Sequence, residues 1–200
     1  AVPRTITEGD QALYVALTGD RFPLHCSAEF ARSLGFQRET VNDLLTFHMV
    51  FGKTVNDISL NAVANLGYAA VRFLRPVYPG DTVRTVSKVV GKKENRDGKT
   101  GVVWVRSTGT NQRGEEVLDY YRWVMVHKRD PETPTNANDV PDLPKALSVE
   151  DLVVPKELSL EGFQNWATGG RARFDDYQVG ERIDHVDGMT IEEAEHQIAT

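Results

Sequence analysis

Two periodicities divide the chain, a helical one near its start and an alternating one in its middle. Apolar residues recur at helical spacing from Thr5 to Leu17, again from Ala28 to Leu34, and over a long stretch from Val41 to Ala62. We expect a helix in each, with Gly35 ending the second. One face of the long helix is predicted to be apolar and to include a core histidine. Its residues are Leu44, Leu45, His48, Phe51, Val55 and Ile58.

Four segments after the long helix are rich in β-branched residues that alternate with polar ones. The predicted strands are Leu66–Leu74, Thr82–Val90, Gly101–Thr110 and Val117–His127. Turn residues separate them, among them Pro79-Gly80, Asp97-Gly98 and Arg113-Gly114. A long helix followed by antiparallel strands, without βαβ alternation, predicts an α+β fold in which the sheet wraps the helix.

Composition and charge narrow the classes of function. The chain has 23 Lys and Arg against 29 Asp and Glu, and the net charge of -6 argues against a nucleic-acid partner. We expect no membrane partner, because no apolar run approaches the roughly twenty residues that a spanning helix needs. Cys26 is the only cysteine, which fits a reducing, cytoplasmic location. We expect it to be a small buried thiol rather than a nucleophile.

The segment from Tyr14 to Ala31 holds the candidate chemistry. Asp20 precedes His25 by five residues, and Gly19 and Pro23 shape a turn around them. A carboxylate and an imidazole held this way can share a water molecule and divide the removal and return of its proton. An Asp in a loop and a half-buried His are each ordinary alone, and only their combination favours catalysis.

The same segment resembles the signature of the R-specific enoyl-CoA hydratases and of the wider MaoC-like dehydratase family. The matching positions are Tyr14, Gly19, Asp20, Pro23, His25 and Ala31. Phe22 stands where the family usually has Asn, which suggests a more apolar pocket. Longer stretches, 47–73, 95–103, 120–131 and 179–196, are most similar to the mesaconyl-CoA hydratase branch, also called β-methylmalyl-CoA dehydratases or 2-methylfumaryl-CoA hydratases.

The resemblance implies a hot dog fold and a carbon–oxygen lyase that adds water reversibly to an enoyl-CoA, most specifically mesaconyl-CoA to give β-methylmalyl-CoA. Asp20 and His25 would be its catalytic residues. It implies no cofactor except coenzyme A as part of the substrate, and a homo-oligomer. We also predict no metal, because His127, His185 and His196 have no metal-ligand spacing with carboxylates or with Cys26. Two rivals stay open: a hot dog acyl-CoA thioesterase, and a non-catalytic acyl-binding half that supports a site in a second domain.

Other site residues also follow from the resemblance. In the family, a backbone N–H at the start of the long helix, usually at glycine, faces the thioester oxygen. Here that region has no glycine, and Thr40 with Asp43 resembles a capping box. A carboxylate there would repel a developing oxyanion, so either Asp43 points away and lends its N–H, or this half is not the fully equipped site. Asp43, Leu44 and Phe22 are the residues that we assign to the oxyanion and substrate-binding site. Arg72 and Arg75, which flank the Pro76 turn, are candidates for binding the phosphates of coenzyme A.

A short segment near the end of the chain resembles one near its beginning. Residues 4–10 align with residues 189–195, where Thr, Ile and Glu coincide. We predict an N-terminal hot dog domain over 1–129 that lacks its first segment, a Pro-rich linker over 130–165, and the beginning of a second MaoC-like domain over 166–200. The chain is thus expected to be part of a longer, double hot dog protein.

Overall fold

The chain folds into two compact units. The computed structural model describes residues 2–163, 172–186, 188 and 190–199. The first unit contains Ala1–Glu8 and Val41–Lys156, and the second contains Gly9–Thr40 and Glu157–Thr200. Each unit is therefore assembled from two separate segments of the chain.

An antiparallel sheet forms most of the first unit. Its strands are β1 (Arg4–Thr5), β2 (Ala62–Phe73), β3 (Thr82–Glu94), β4 (Thr100–Thr110), β5 (Glu116–His127) and β6 (Asn138–Asp139). The order is β1-β3-β4-β5-β2, and β6 pairs with Lys92 and Lys93 of β3. The four predicted long strands are confirmed, with bounds shifted by a few residues.

The predicted hairpin turn between β3 and β4 is also confirmed. Gly98 has a φ of +65°, a conformation that glycine adopts without steric cost. The Asp97 carboxylate accepts hydrogen bonds from the N–H groups of Lys99 and Thr100, at 2.9 and 3.1 Å. These local bonds fix the turn and, through it, the register of the two strands.

A helix packs against the sheet, which confirms the hot dog architecture. Helix α4 (Asp43–Thr54) continues into a π-helical turn (Val55–Ser59) and lies against β3 and β5. A Cβ atom on Gly109 of β4 would come within 2.7 Å of Val50 Cγ2, so glycine allows the helix and sheet to approach closely. The helix is shorter than the predicted Val41–Ala62, since Ala62 already begins β2.

The buried face of α4 differs from the predicted one. Its buried residues are Leu45, Thr46, Val50 and Thr54. Leu44 is 56% exposed and His48 is exposed, so the assignment of both to the core is wrong. Threonine can take a buried position on this face when its hydroxyl is hydrogen-bonded, as Thr54 Oγ1 is to the Phe51 carbonyl at 2.7 Å.

The chain start pairs with the sheet instead of opening a helix. Arg4 and Thr5 pair with Val83 and Thr82, so the predicted helical start at Thr5 is wrong. Ile6 is fully buried, and its N–H donates 2.9 Å to the Asp81 carbonyl. These long-range bonds override the local helical pattern, and helix α1 begins only at Glu8.

Short helices form the second unit. They are α1 (Glu8–Thr18), α2 (Pro23–Cys26), α3 (Ala28–Ser33) and α5 (Glu193–Ala199). Phe30, Ala31, Leu34 and Phe36 form its core, with Leu24 and Leu158 packed against them. Gly35 ends α3 as predicted, with a φ of +92°. The proposed beginning of a second domain stays a prediction, and residues 164–171, 187 and 189 lie outside the described residues.

Candidate active site

The turn after α1 places the two candidate catalytic side chains. Gly19, with a φ of +63°, reverses the chain where α1 ends, and the Asp20 N–H donates 3.2 Å to the Val15 carbonyl. Pro23 then begins α2, a position at which its missing N–H costs nothing. Asp20 lies before this single helical turn and His25 lies within it.

Asp20 and His25 are bonded directly to each other. His25 Nδ1 lies 2.6 Å from Asp20 Oδ2, and the side chains are only 15% and 11% exposed, respectively. The other carboxylate oxygen, Asp20 Oδ1, accepts the N–H of Phe22 at 3.0 Å. Both carboxylate oxygens thus hold defined contacts, and the carboxylate orients the imidazole.

Gln11 supports this turn and was missed in the sequence. It is the buried residue of α1, 6% exposed, and its Nε2 donates to the carbonyls of His25 (2.8 Å) and Thr40 (3.3 Å). The Gln11 amide therefore connects the backbone at His25 to the backbone at Thr40. In the sequence, Gln11 is simply a polar residue one helical turn before Tyr14 and Val15. This pattern is too common to indicate a buried, supporting role.

The neighbours of Asp20 are held in their neutral forms. Burial, and secondarily the charge of Asp20, raise the pKa of Tyr14 and that of the Cys26 thiol. A raised pKa makes the thiolate scarcer, so Cys26 is a poor nucleophile. The prediction that Cys26 is buried is nevertheless wrong, because it is exposed, on the short α2, with Sγ donating 3.4 Å to the Asp20 carbonyl.

Phe22 covers one side of the histidine. Its ring meets the His25 ring edge to face, with 5.5 Å between the centroids, and its side chain is 46% exposed. An apolar ring stands where the related signature carries a polar amide. The assignment of Phe22 to substrate binding stays a prediction.

Asp43 and Leu44 belong to the first unit, at the beginning of α4. The cap of this helix is Asn42, whose Oδ1 accepts the Leu44 N–H at 2.8 Å, so the predicted Thr40–Asp43 capping box is wrong. Asn42 rather than Thr40 is the residue directly before the first helical turn, which is the position a cap requires. The Leu44 N–H is thereby already engaged, and the oxyanion role of both residues stays a prediction.

The two arginines proposed for coenzyme A differ in their surroundings. Arg72 Nη2 lies 3.5 Å from Asp119 Oδ2, a carboxylate that is only 2% exposed. Arg75 is exposed. The hydrogen bonds from Asn111 and Arg113, and only to a lesser degree the charge of Arg75, lower the pKa of Glu115. Arg75 is therefore the more accessible cation of the two, and the binding of coenzyme A by either arginine stays a prediction.

The described part of the chain holds no cluster of three His, Cys, Asp or Glu side chains arranged to bind a metal ion. The same residues include no helix long and apolar enough to cross a membrane. The expectation that no metal takes part in the reaction stays a prediction.

A family model for the MaoC like domain matches residues 1–111. The chain belongs to the MaoC-like family. This MaoC-like chain is 60% identical to the β-methylmalyl-CoA dehydratase of Chloroflexus aurantiacus over all 200 residues, which cover 57% of that protein. It is 56% identical to the mesaconyl-CoA hydratase of Cereibacter sphaeroides, again over its full length and over 58% of the relative.

A solved structure agrees with the fold of this MaoC-like chain. The crystal structure of a putative MaoC domain protein dehydratase from Chloroflexus aurantiacus superposes with a TM-score of 0.89 at 59% identity. The alignment covers 100% of this chain and 57% of the other. The predicted family is thus confirmed, and the chain spans a little more than half the length of the relatives it matches.

Proposed function

We propose that the protein to which this chain belongs is an acyl-CoA hydratase/dehydratase, a carbon–oxygen lyase that adds water reversibly to mesaconyl-CoA and forms β-methylmalyl-CoA. The observation that carries the proposal is the 2.6 Å contact between Asp20 and His25 inside the Gly-Asp-x-x-Pro-x-His turn. The identities of 60% and 56% to two named dehydratase and hydratase relatives support the choice of acyl group.

The geometry suggests a division of roles. When Asp20 is ionised it accepts the Nδ1 proton of His25, and Nε2 is then the basic nitrogen of the ring. In hydration, Nε2 takes a proton from the water as its oxygen bonds to the β-carbon, and the imidazolium then returns this proton to the α-carbon as the double bond is lost. Asp20 stabilises the imidazolium that forms, as a carboxylate partner does in other acid–base sites.

The remaining features of the proposal follow the resemblance. The reaction uses no metal and no cofactor, with coenzyme A present only as part of the substrate. We further propose a cytoplasmic homo-oligomer whose full chain carries a second hot dog domain. The 57% coverage of the Chloroflexus relative leaves room for such a domain.

The test uses the full-length protein with Asp20→Asn and His25→Gln. Each variant is expected to lower kcat/KM for mesaconyl-CoA by about 10²- to 10⁴-fold, the range of a general acid–base group. Loss of enoyl-thioester absorbance reports hydration. Asp142→Asn makes the same carboxylate-to-amide change at an exposed position and is expected to leave turnover unchanged.

A thiol reagent added to the same assay separates the rivals. Release of free coenzyme A by the wild type, without hydration, would identify a thioesterase. Hydratase turnover that survives both Asp20→Asn and His25→Gln would make this turn non-catalytic and would move the chemistry to another domain.

A further inference from the structure

A pocket of about 460 Å³ lies at the end of the sheet where β3 and β4 meet their turn, wholly within the first unit. Its lining comes from residues 92–94, 100–103 and 126–130, together with Thr133 and Thr135. Helix α4 contacts the sheet at Thr85 and Gly109, near the opposite ends of β3 and β4, so it leaves this end open. The volume falls in the range of roughly 300–1,000 Å³ that small-molecule sites occupy.

Hydrogen bonds to Glu94 fix one wall of this pocket. After β5 the chain folds back, and the Glu94 carboxylate accepts bonds from Lys128 Nζ at 2.5 Å and from the N–H and hydroxyl of Thr135 at 2.7 and 2.8 Å. The Lys128 N–H donates 2.9 Å to the Lys99 carbonyl, and the Glu94 N–H donates 3.0 Å to the Ala137 carbonyl. Both ends of the returning segment are thus joined to the β3–β4 hairpin, so the pocket is formed before a ligand binds.

The lining has an excess of cations, although the chain as a whole has a net charge of -6. Its basic residues are Lys92, Lys93, Lys128 and Arg129, and its acidic residues are Glu94 and Asp130. Glu94 is taken up by Lys128, and Asp130 accepts the Glu132 N–H and the Thr133 hydroxyl at 3.0 and 2.6 Å. Lys92, Lys93 and Arg129 are exposed, and none of them has an ion pair or a side-chain hydrogen bond with a described residue. Three positive charges therefore remain available to a ligand.

The apolar part of the lining is aliphatic. Val102, Val103 and Val126 supply it, and all three are half-buried. The methylene stems of the lysines can extend this surface while their amines stay in water. The described lining contains no Phe, Tyr or Trp, so it suits an aliphatic chain better than a stacked ring.

We propose that this pocket binds an amphipathic anion, a molecule with an aliphatic body and a carboxylate or phosphate head group. The body lies against the three valines, and Lys92, Lys93 and Arg129 hold the head group through charge-assisted hydrogen bonds. No residue of the Asp20–His25 turn takes part. The inference therefore goes beyond the proposed hydratase function and does not depend on it.

The test measures the affinity of the full-length protein for eight-carbon ligands with different head groups, by titration calorimetry. Octanoate and octyl phosphate are anions, and octan-1-ol is neutral. The better anion is expected to bind about 10- to 100-fold more tightly than octan-1-ol, the range of hydrogen bonds to charged groups. Whichever anion binds more tightly identifies the head group. Absence of binding by both anions, or equal affinity for all three ligands, overturns the inference.

A shorter ligand tests the aliphatic body. A six-carbon chain with the same head group is expected to bind about 4- to 16-fold more weakly, since each buried methylene changes affinity by about fourfold. An affinity that does not depend on chain length shows that only the charge is bound, and overturns the inference.

Two triple variants assign the preference for an anion to this pocket. Lys92→Gln, Lys93→Gln and Arg129→Gln, combined in one protein, are expected to abolish most of it. The control combines Arg84→Gln, Lys88→Gln and Lys145→Gln, which removes three charges outside the pocket and should retain the preference. All six positions are exposed, so both variants are expected to fold. A preference that survives the first variant, or that both variants lose equally, overturns the inference.

Discussion

The turn around His25 and the interior around Arg122 differ in whether their ionisable side chains have hydrogen-bond partners. In the turn, His25 and Asp20 are bonded to each other across five residues of chain, at 2.6 Å. On β5, the Arg122 guanidinium is fully buried and has no hydrogen-bond partner in the described part of the chain. A short motif can satisfy its own charges with a hydrogen bond, whereas the buried Arg122 guanidinium lies over the Phe51 ring, 4.5 Å from its centroid.

The largest expected effect tests whether the turn acts as one unit. Asp20→Asn and His25→Gln, combined in one full-length protein, are expected to lower kcat/KM by about the same 10²- to 10⁴-fold as either change alone, because residues that act together are not additive. Steady-state kinetics of the two single variants and the double variant measure this. Losses that multiply in the double variant would show that the two side chains act independently.

The next effect concerns stability at Arg122. Arg122→Met is expected to leave the free energy of unfolding unchanged or to raise it by about 1–4 kcal/mol, because an unpaired buried charge is replaced by an apolar side chain. Arg106→Met is the matched control and is expected to lower it by about 1–3 kcal/mol, since it leaves the buried Asp119 with a weaker partner. Unfolding in urea measures the free energy of unfolding of both variants and of the wild type. A loss at Arg122→Met as large as at Arg106→Met would contradict the comparison.

A smaller effect is expected at Gln11. Gln11→Leu removes the hydrogen bonds to the carbonyls of His25 and Thr40 and is expected to lower the free energy of unfolding by about 1–2 kcal/mol. Asp20 and His25 keep their contact with each other, so kcat/KM should fall by less than about tenfold. Gln37→Leu, at an exposed position, provides the control. A loss of activity as large as that of Asp20→Asn would make Gln11 part of the catalytic unit.

The smallest effect belongs to Glu94, which pairs with Lys128 across the sheet at 2.5 Å. The hydrogen bond from Lys128, and then those from Thr135, lower the pKa of Glu94 from 4.5 to about 2. A lowered folded-state pKa stabilises the protein above about pH 4.5, and the gain is lost as the pH falls towards 2. The Tm of Glu94→Gln should therefore lie slightly below that of the wild type at about pH 6 and should match it near pH 2. A difference in Tm that stays constant between these two pH values would show that the Glu94–Lys128 pair does not cause it.

The sequence was informative where structure is local. The Asp97-Gly98 turn, the end of α3 at Gly35 and the turn that holds Asp20 near His25 all depend on residues within a few positions of one another. The direct 2.6 Å contact between these two side chains was not predicted, since the pattern suggested only a shared water molecule. The alternation of β-branched residues likewise predicted the four long strands. Family resemblance added the reaction class, which neither periodicity nor composition contains.

Features that depend on distant residues could not be read in this way. Thr5 was expected to begin a helix because the local pattern is helical. Its strand partner, Thr82, lies 77 residues away and leaves no trace in that pattern. Leu44 and His48 were expected to be buried because they share the apolar face of the predicted helix. The sheet covers the face that holds Thr46 and Thr54 instead. Arg122 gave no signal in the sequence, since burial and the lack of a partner are both properties of the assembled helix and sheet.

The pairing of the first residues with the sheet has a practical consequence for anyone who shortens this protein. Helix α1 begins at Glu8, which makes residues 2–7 look dispensable for expression. Their removal would uncover Val83, which is fully buried, and would leave that end of β3 with unpaired backbone groups. Open strand edges recruit other chains, so such a trimmed protein should aggregate, while one that retains Arg4 to Ile6 should stay dispersed.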